Sequence, residues 1–416
     1  MNTTITRVRD LYEAYPYPPL EASLGFPLLA SLDYVRCVFW PRRSSLAGVR
    51  VLDAGCGTGH AAVELASHYP DVEVVGLDLS TSSLDVARRR AERAGVGKNL
   101  TFRQGAVEDL AALGLGAQRF DYIVSSGVLH HLADPVAGAR ALAAHLAPDG
   151  AIGLMVYAPH GRHGVYLLQD LLRRLAGNRP LPEQIAVTRA ILADLPKDHP
   201  FRPAAFTDQD WGGDAGLVDL LLHVQDRSYT VPELREMLGG AGLQIARFVL
   251  PYVYRPETYL AHLPAVTGAI GQPEDPAAVA ELAAGTMKMH VALACHSSFA
   301  PQPISLGDPA ARPLRSPLLR WSERQTSKVS RGRGRGSDVR IAVSERSYTG
   351  GARDMTLEGE AALLLERCDG AHTPDEIFLD PALHDALAGN TREEKAARFQ
   401  TLLSFMIQQD LVYLSA

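Results

Sequence analysis

Cysteine is scarce in this 416-residue chain, and the four that occur lie far apart, at positions 37, 56, 295 and 368. No C-x-x-C pair is present, so we expect neither a metal site nor a disulfide framework, and we predict a reduced, cytoplasmic setting. No apolar run approaches the roughly 18 residues that suggest a membrane-spanning helix. The N-terminus lacks a basic start followed by an apolar core, so no secretory signal is expected.

Positive charge is not in excess either. The chain carries 41 Lys and Arg against 47 Asp and Glu, a formal net charge of −6, which gives no reason to expect nucleic acid as a partner. Hydrophobic residues make up 46% and the mean hydropathy is −0.04, both ordinary for a soluble protein with a large core. The length predicts two to three domains.

The most informative segment is the run from 51 to 59, Val-Leu-Asp-Ala-Gly-Cys-Gly-Thr-Gly. An apolar strand pattern, a turn almost without side chains and a helix start form a cradle in which backbone can approach a nucleotide-like ligand. Gly57, Gly59 and Ala62 also fit the dinucleotide pattern G-x-G-x-x-G/A, so the turn alone allows NAD(P). Asp53 favours another ligand, because a carboxylate here would repel a pyrophosphate and attract an ammonium group.

This run resembles motif I of the class I S-adenosylmethionine (SAM) methyltransferases, D/E-x-G-x-G-x-G. The resemblance implies that Asp53 lies near the methionine part of SAM and that the glycine backbone packs against the cofactor. A second predicted strand, 72–78, ends in Asp78, where a carboxylate can accept hydrogen bonds from both ribose hydroxyls. Together the predicted SAM-binding residues are Asp53, Gly55, Cys56, Gly57, Gly59, Asp78, Leu79, Ala106, Val107, Ser126 and Tyr12.

The next strands extend the resemblance. A third strand, 100–103, precedes the turn 104–109, which flanks the adenine in this family. A fourth strand, 120–126, runs into Gly-Val-Leu-His-His-Leu-x-Asp-Pro. That string is similar to the one after strand four in methyltransferases of the ubiquinone-biosynthesis type.

The later part of the chain completes the predicted sheet. A fifth strand, 151–157, a helix opened by the capping box at Thr230, and strands 244–250 and 290–296 follow. The resulting fold class is α/β, a doubly wound seven-stranded Rossmann-like sheet with an antiparallel last strand, plus a small α+β C-terminal domain. The expected divisions are an N-terminal lid or arm (1–45), the SAM domain (46–299) with a helical substrate-cover insertion (158–228), a linker (300–338) and a winged-helix-like domain (339–416).

Candidate acceptor-site residues come from three segments. His131 and His130 follow strand four, where the family often places active-site residues, although His-His-Leu also occurs where it only shapes the pocket. Tyr17 belongs to a tyrosine-rich N-terminal string that is either a lid over the cofactor or a packing arm. Polar residues at the two ends of the insertion could orient a substrate, and these are Arg162, Tyr166, His223 and Arg227. The competing interpretation makes His223 a core histidine and pairs Arg227 locally with Asp226.

Two segments outside the SAM domain leave their roles open. The Arg-Gly tract at 331–336 is interpreted as a solvated linker. The pattern over 339–416 resembles PqqD-like winged-helix modules, which implies peptide binding by strand addition. Dimerisation or docking is the alternative, so a homodimer stays an open option.

The function predicted from these features is SAM-dependent methyl transfer to a peptide or small natural-product acceptor. A general base is required only where the acceptor atom still holds its proton near neutral pH. Two other functions remain as alternatives, an NAD(P)-dependent oxidoreductase and a non-catalytic SAM-fold scaffold that works through its C-terminal module.

Overall fold

The structure is a computed structural model that describes residues 3–20, 28–115, 119–202, 213–260, 262, 273–318, 320–321, 325–326, 339–345 and 353–416. The predicted Arg-Gly linker tract lies outside these residues. The chain forms two compact units. The first comprises Met1–Ala30, Leu46–Val249 and Val253–Ala300, and the second comprises Ser31–Ser45, Leu250–Tyr252 and Pro301–Ala416.

The first unit is built on a seven-stranded sheet with the strand order β3-β2-β1-β4-β5-β7-β6. Its strands are β1 Arg50–Ala54, β2 Glu73–Asp78, β3 Leu100–Gln104, β4 Phe120–Ser126, β5 Leu146–Tyr157, β6 Leu243–Phe248 and β7 Met289–His296. Adjacent strands among β1 to β5 are parallel, whereas β7 runs antiparallel to both β5 and β6. This arrangement confirms the predicted Rossmann-like sheet with its antiparallel last strand.

Helices flank this sheet and form much of the second unit. In chain order they are α1 Thr3–Ala14, α2 Leu32–Phe39, α3 His60–His68, α4 Thr81–Ala94, α5 Pro135–His145, α6 His163–Ala176, α7 Leu181–Asp194, α8 Asp214–Leu221, α9 Val231–Gly239, α10 Pro276–Ala284, α11 Gly359–Arg367, α12 Pro374–Phe378, α13 Pro381–Ala386 and α14 Arg392–Gln408. Short 3₁₀ turns at Leu129–His131 and His160–Arg162 follow β4 and β5. Among the described residues, no helix is both long and apolar enough to cross a membrane.

Local sequence signals account for where key helices begin and end. The Ser80 hydroxyl accepts the N–H of Ser83 at the start of α4, and Gly95 ends that helix in the left-handed conformation. Thr230 and Glu233 form a reciprocal capping box at the start of α9, as the sequence predicts. These caps satisfy backbone groups that the first and last turns of a helix leave without intrahelical partners.

The insertion between β5 and α9 is helical in its described part, with α6, α7 and α8. Val165, Leu168 and Leu172 form the buried stripe of α6 and pack with Leu221 of α8. A second cluster joins the insertion to α1, since Leu11 packs against Ile185, Leu217 and Val218. The N-terminal helix therefore lies against the insertion, and both belong to the first unit.

The second unit combines residues from both ends of the chain. Strands β11 Val339–Glu345 and β12 Arg353–Glu358 pair antiparallel, with β9 Arg320–Trp321 and β10 Gln325–Thr326 also pairing with β11. Strand β13 Val412–Ser415 pairs with β8 Arg312–Arg315, so part of the expected linker is a strand.

Helix α2 also belongs to this unit, although residues 31–45 were expected in the N-terminal arm. Its apolar residues Leu32, Tyr34 and Val35 are buried, and an apolar helix face of this size needs a packing partner. The Tyr34 ring meets Tyr413 of β13 edge-on at 5.6 Å. The backbone N–H of Ala416 donates to Pro41 O at 2.7 Å.

Candidate functional site

The glycine turn folds back over the end of β2. The backbone N–H groups of Gly55 and Cys56 both donate to Leu77 O, at 2.7 and 2.8 Å. The N–H of Gly57 donates to the Asp78 carboxylate at 2.8 Å. The carboxyl ends of β1 and β2 thus form one cradle of backbone, which we define as residues 53–59 together with Asp78.

The glycines are required by space as well as by backbone conformation. Gly55 has φ +81°, and a Cβ there would lie 2.4 Å from Cγ2 of Val128. Gly59 has φ +80°, and its Cβ would lie 2.7 Å from the Ala87 Cβ. Both distances are shorter than real Cβ contacts, so any side chain at either position would force the turn open.

Asp53 lies at the end of β1, facing this cradle, and is 3% exposed. Its carboxylate accepts the backbone N–H of Ala62, while Oδ2 has no hydrogen-bond partner within the described residues. Burial, together with the nearby charge of Asp78, raises the pKa of Asp53 to about 7. A buried carboxylate oxygen without a partner is costly, so the site is suited to a ligand that brings a cation or a donor.

Asp78 is held by two backbone amides. Besides Gly57, the N–H of Ser80 donates to its Oδ1 at 2.9 Å. Burial raises the pKa of Asp78, and these hydrogen bonds oppose that effect. With its orientation fixed, the carboxylate keeps lone pairs for further donors such as ribose hydroxyls.

The N-terminal segment docks on the cradle. The Glu13 carboxylate accepts the N–H groups of Thr81 at 2.6 Å and Ser82 at 3.0 Å, so it caps the first turn of α4. The Thr58 hydroxyl donates to Pro18 O at 2.7 Å. A Cβ on Gly57 would come within 3.0 Å of Tyr17 O. The chain from Glu13 to Pro18 therefore lies across the glycine turn.

Five aromatic rings follow one another in contact near the ends of β4 and β5, with His131 stacked on His223 and the other pairs tilted or edge-on. We call them the aromatic array: Tyr12, His223, His131, His130 and Tyr157. Successive ring centroids are 5.7, 3.7, 4.1 and 3.9 Å apart. The Tyr12 hydroxyl donates to Asp219 of α8 at 2.7 Å. The array therefore joins the N-terminal helix, the segment after β4, the end of β5 and the insertion.

A buried ion pair covers one end of the array. The Arg162 guanidinium lies 3.5 Å from the centroid of the Tyr157 ring. Its Nη2 is 3.5 Å from Oδ2 of Asp226, and both side chains are nearly inaccessible, at 2% and 3%. Gln169 donates to the same carboxylate oxygen at 2.8 Å. Because the charges offset each other, the end of the array at Arg162 has almost no net charge.

The array is uncharged near neutral pH. Burial lowers the pKa of His131 to about 4, and burial also lowers the pKa of His130 and His223. Burial raises the pKa of Tyr12 and of Tyr157. His131 Nδ1 lies 2.6 Å from Gln225 O, and a carbonyl can only accept. Nδ1 therefore carries the proton, and Nε2 offers its lone pair.

The structure brings together some of the residues predicted for the acceptor site and not others. Tyr166 is half-buried beside Arg162, whose guanidinium carbon is 5.8 Å from its ring centroid. Arg227 is exposed, so it does not join the buried Arg162 and Asp226 pair. Both ring nitrogens of His130 are buried without a hydrogen-bond partner among the described side chains and backbone groups.

The remaining predicted cofactor residues belong to the cradle or lie at the ends of β2, β3 and β4. Ala106 and Val107 are buried at the start of the turn after β3. Cys56 is also buried, Leu79 is half-buried and Ser126 is exposed at the end of β4. In the part of the chain that the structure describes, no group of three or more His, Cys, Asp or Glu side chains is arranged to hold a metal ion.

Sequence reasoning missed three residues of this region. Glu13 and Asp219 contact their partners across 68 and 207 positions of sequence, and no local pattern indicates such pairs. Tyr157 ends β5, and the sequence predicted it only as a strand residue without a role in the site. An aromatic side chain at the carboxyl end of a parallel strand, where ligands bind in α/β folds, is the signal that could have found it.

Comparison with known proteins shows what this domain resembles. Residues 45–165 match a family model described as a methyltransferase domain. This part of the chain is similar to methyltransferase domains. Together with the fold, the match supports SAM as the cofactor of that domain.

Two relatives are similar to part of this chain. An uncharacterized protein of Synechococcus is 34% identical over 253 residues, which cover 58% of this chain and 59% of that protein. A ubiquinone biosynthesis O-methyltransferase of Chromobacterium violaceum is 38% identical over 125 residues, 30% of this chain and 51% of that enzyme. The chain therefore spans between half and three fifths of the length of these relatives.

Solved structures share the fold at low sequence identity. PKMT2 from Rickettsia typhi superimposes with a TM-score of 0.66 at 15% identity, covering 96% of this chain and 78% of that one. The same protein in complex with AdoHcy gives a TM-score of 0.64 at 14% identity. The likeness extends over nearly the whole chain, which includes both units.

Proposed function

We propose that this protein transfers a methyl group from SAM to a peptide or small natural-product acceptor. The observation that carries the proposal is the Asp53 carboxylate, buried beside the glycine turn with one oxygen lacking a partner within the described residues. A cofactor with an ammonium group would supply that missing partner. The relative named above as a ubiquinone biosynthesis O-methyltransferase supports the reaction class.

The residues of the cradle fit this cofactor. Asp53 would hold the ammonium group, Asp78 the ribose hydroxyls, and the bare backbone of Gly55 to Gly59 would allow close approach. Ala106 and Val107 would line the adenine side, with Tyr12 and Tyr17 in the N-terminal lid. When bound, SAM supplies a methyl group on a positively charged sulfur, which leaves the protein to orient the acceptor and exclude water.

The acceptor would lie against the aromatic array. Nε2 of His131 is the atom that can accept a proton or hydrogen bond from an acceptor hydroxyl, because Nδ1 is held by Gln225 O. With a pKa of about 4 this imidazole is a weak base, suited to an acceptor group that becomes acidic as its new bond forms. Arg162, Tyr166 and His223 would orient the rest of the acceptor.

Two alternatives carry different expectations. An NAD(P)-dependent oxidoreductase would need a pyrophosphate beside Asp53, where the carboxylate repels it. A non-catalytic scaffold acting through the winged-helix-like C-terminal module would have no need of both carboxylates.

A thermal-shift comparison tests the proposal directly. We expect SAM and S-adenosylhomocysteine to raise the melting temperature, because a ligand that binds only the folded state stabilises it. NAD(H) and NADP(H) should leave it unchanged. Stabilisation by a nicotinamide cofactor alone would overturn the proposed function in favour of the oxidoreductase.

A further inference from the structure

A buried carboxylate lies outside both the cradle and the aromatic array. Glu281 of α10 is 1% exposed. Its Oε2 accepts the backbone N–H of Val231, the first residue of α9, at 2.8 Å. Its Oε1 faces two imidazoles, with Nε2 of His290 at 3.3 Å and Nε2 of His160 at 3.9 Å.

The orientation of His290 is fixed from its other side. Its Nδ1 lies 3.1 Å from the Tyr254 hydroxyl, and both side chains are buried. When the hydroxyl donates to Nδ1, the ring proton is on Nε2, which lies 3.3 Å from Glu281 Oε1. Within the described residues, neither Glu281 Oε1 nor the Nε2 atoms of His290 and His160 has a hydrogen-bond partner, so Oε1 is close to both imidazoles without being bonded to them.

The partners of Glu281 belong to the two segments that build the buried ion pair. His160 begins the turn that carries Arg162. Val231 directly follows the segment 223–230, which carries Asp226. That segment is also tied to β5, since the N–H of Tyr229 donates to Tyr157 O at 2.8 Å.

The turn at His160 has little freedom to move. The N–H of Gly161 donates to Met287 O at 2.7 Å, and a Cβ on Gly161 would lie 2.2 Å from Thr286 O. The backbone of the turn therefore lies directly against the chain that leads into β7. The carboxylate of Glu281 meets the same turn through the His160 side chain.

We propose that Glu281 is a positioning residue of the acceptor site. Each of its oxygens contacts one segment. Oε2 accepts a hydrogen bond at the end of the segment that presents Asp226, and Oε1 lies close to the imidazole of the turn that presents Arg162. The geometry of the ion pair and of the aromatic array then depends on a residue that touches neither. The inference rests on the proposed function, because that function makes this region an acceptor site. The contacts of Glu281 do not depend on it.

The physical reason is the cost of burying a carboxylate. A carboxylate out of water is stabilised by the donors and polar groups close to it, here the Val231 N–H at Oε2 and the two imidazoles near Oε1, so its loss is felt by the segments that provide them. Glu281→Gln keeps a carbonyl oxygen for Val231 N–H but brings an NH₂ group against the Nε2–H of His290. Two N–H groups facing each other repel and displace the imidazole side, while the α9 side stays bonded.

Hydrogen exchange of the ligand-free full chain tests this assignment. We expect Glu281→Gln to speed exchange at 158–162 at least tenfold, with a smaller change at 223–231. The ring ¹⁵N signal of His131 Nδ1, which reports its bond to Gln225 O, should shift. The affinity for S-adenosylhomocysteine should stay within threefold. Glu274→Gln, the same change at an exposed position before α10, should alter none of these readouts.

His160→Gln provides a second variant that does not open the core, because its side chain is 33% exposed. It should speed exchange at 158–162 only, and His163→Gln on the exposed neighbouring position should not. Exchange at the wild-type rate in both 158–162 and 223–231 in the folded variants would overturn the assignment. Exchange that speeds up equally in the cradle at 53–59 would also overturn it. Failure of wild-type protein to bind S-adenosylhomocysteine would instead refute the proposed function and leave the exchange result standing.

Discussion

Asp53 controls the charge of the cradle, since burial leaves its carboxyl group half protonated near neutral pH. Its pKa of about 7 means that the ionised form, which attracts the SAM ammonium group, is lost as the pH falls. We expect SAM affinity measured by calorimetry to fall about tenfold between pH 8 and pH 6. Asp78, with its raised pKa, changes affinity in the same direction.

Asp53→Asn is the control for this pH dependence. It should bind SAM weakly and lose most of the change between pH 8 and pH 6. In the ligand-free protein the sign reverses, because folding disfavours the ionised carboxylate. Stability from this group is then present at low pH and is lost as the pH rises from about 4 to 7. An affinity for SAM that does not vary with pH in the wild type would contradict this account of Asp53.

His131 is the residue whose removal separates chemistry from cofactor binding. His131→Ala should lower the rate of S-adenosylhomocysteine formation at least tenfold, since the Nε2 lone pair facing the acceptor is lost. SAM affinity should stay at the wild-type value, because the cradle does not use this ring. His68→Ala on the exposed end of α3 serves as the control. Turnover that is unchanged in His131→Ala would remove this residue from the reaction.

At the scale of elements, α1 is held to the first turn of α4, next to the cradle, by Glu13. Glu13→Ala removes the acceptor for two amides of α4, and the loss of such a cap costs about 0.5–2 kcal/mol. We expect faster proteolysis within 3–20 and an affinity for SAM lower by about threefold to tenfold. Asp10→Asn, an exposed change on the same helix, should have neither effect. Unaltered proteolysis of α1 in Glu13→Ala would show that the cap does not hold the segment.

Element signals explain why most of the sheet could be predicted from sequence. Apolar runs predicted the strands. Side-chain caps such as Ser80 and Thr230 predicted where helices begin to within one residue. Asp53 and the alternating glycines indicated the cradle, because an acidic strand end followed by such glycines is typical of a tight turn between a strand and a helix. The array was visible only in part, since the contact of Tyr12 with His223 depends on how the N-terminal helix and the insertion pack.

At the scale of the molecule, the second unit was harder to predict because its parts are distant in sequence. The short strand β8 contains a proline, which disfavours the prediction of a strand from sequence. The segment is a strand because it pairs with β13. Helix α2 is separated from β13 by more than 360 positions, and only packing brings them together. Local patterns carry no information about either pairing.

A chain that ends at Ala300 should lose the partners of α2. The apolar face with Leu32, Tyr34 and Val35 would then be exposed, and such patches promote association. We expect this truncated chain to aggregate in size-exclusion chromatography with light scattering. Replacing Leu32 and Val35 by serine should restore a monodisperse species in the truncated chain. A monodisperse truncated chain without these changes would contradict the role given to the second unit.

The most direct measurement of the central claim is calorimetry with S-adenosylhomocysteine on the wild type, Asp53→Ala and Asp78→Ala. We predict binding at one site per chain in the wild type, at least thirtyfold weaker binding in each variant, and no heat from NAD⁺. The two carboxylates should matter independently, because they lie at the ends of different strands and would hold different parts of the cofactor. Wild-type affinity in both variants, or binding of NAD⁺ in place of S-adenosylhomocysteine, would contradict it.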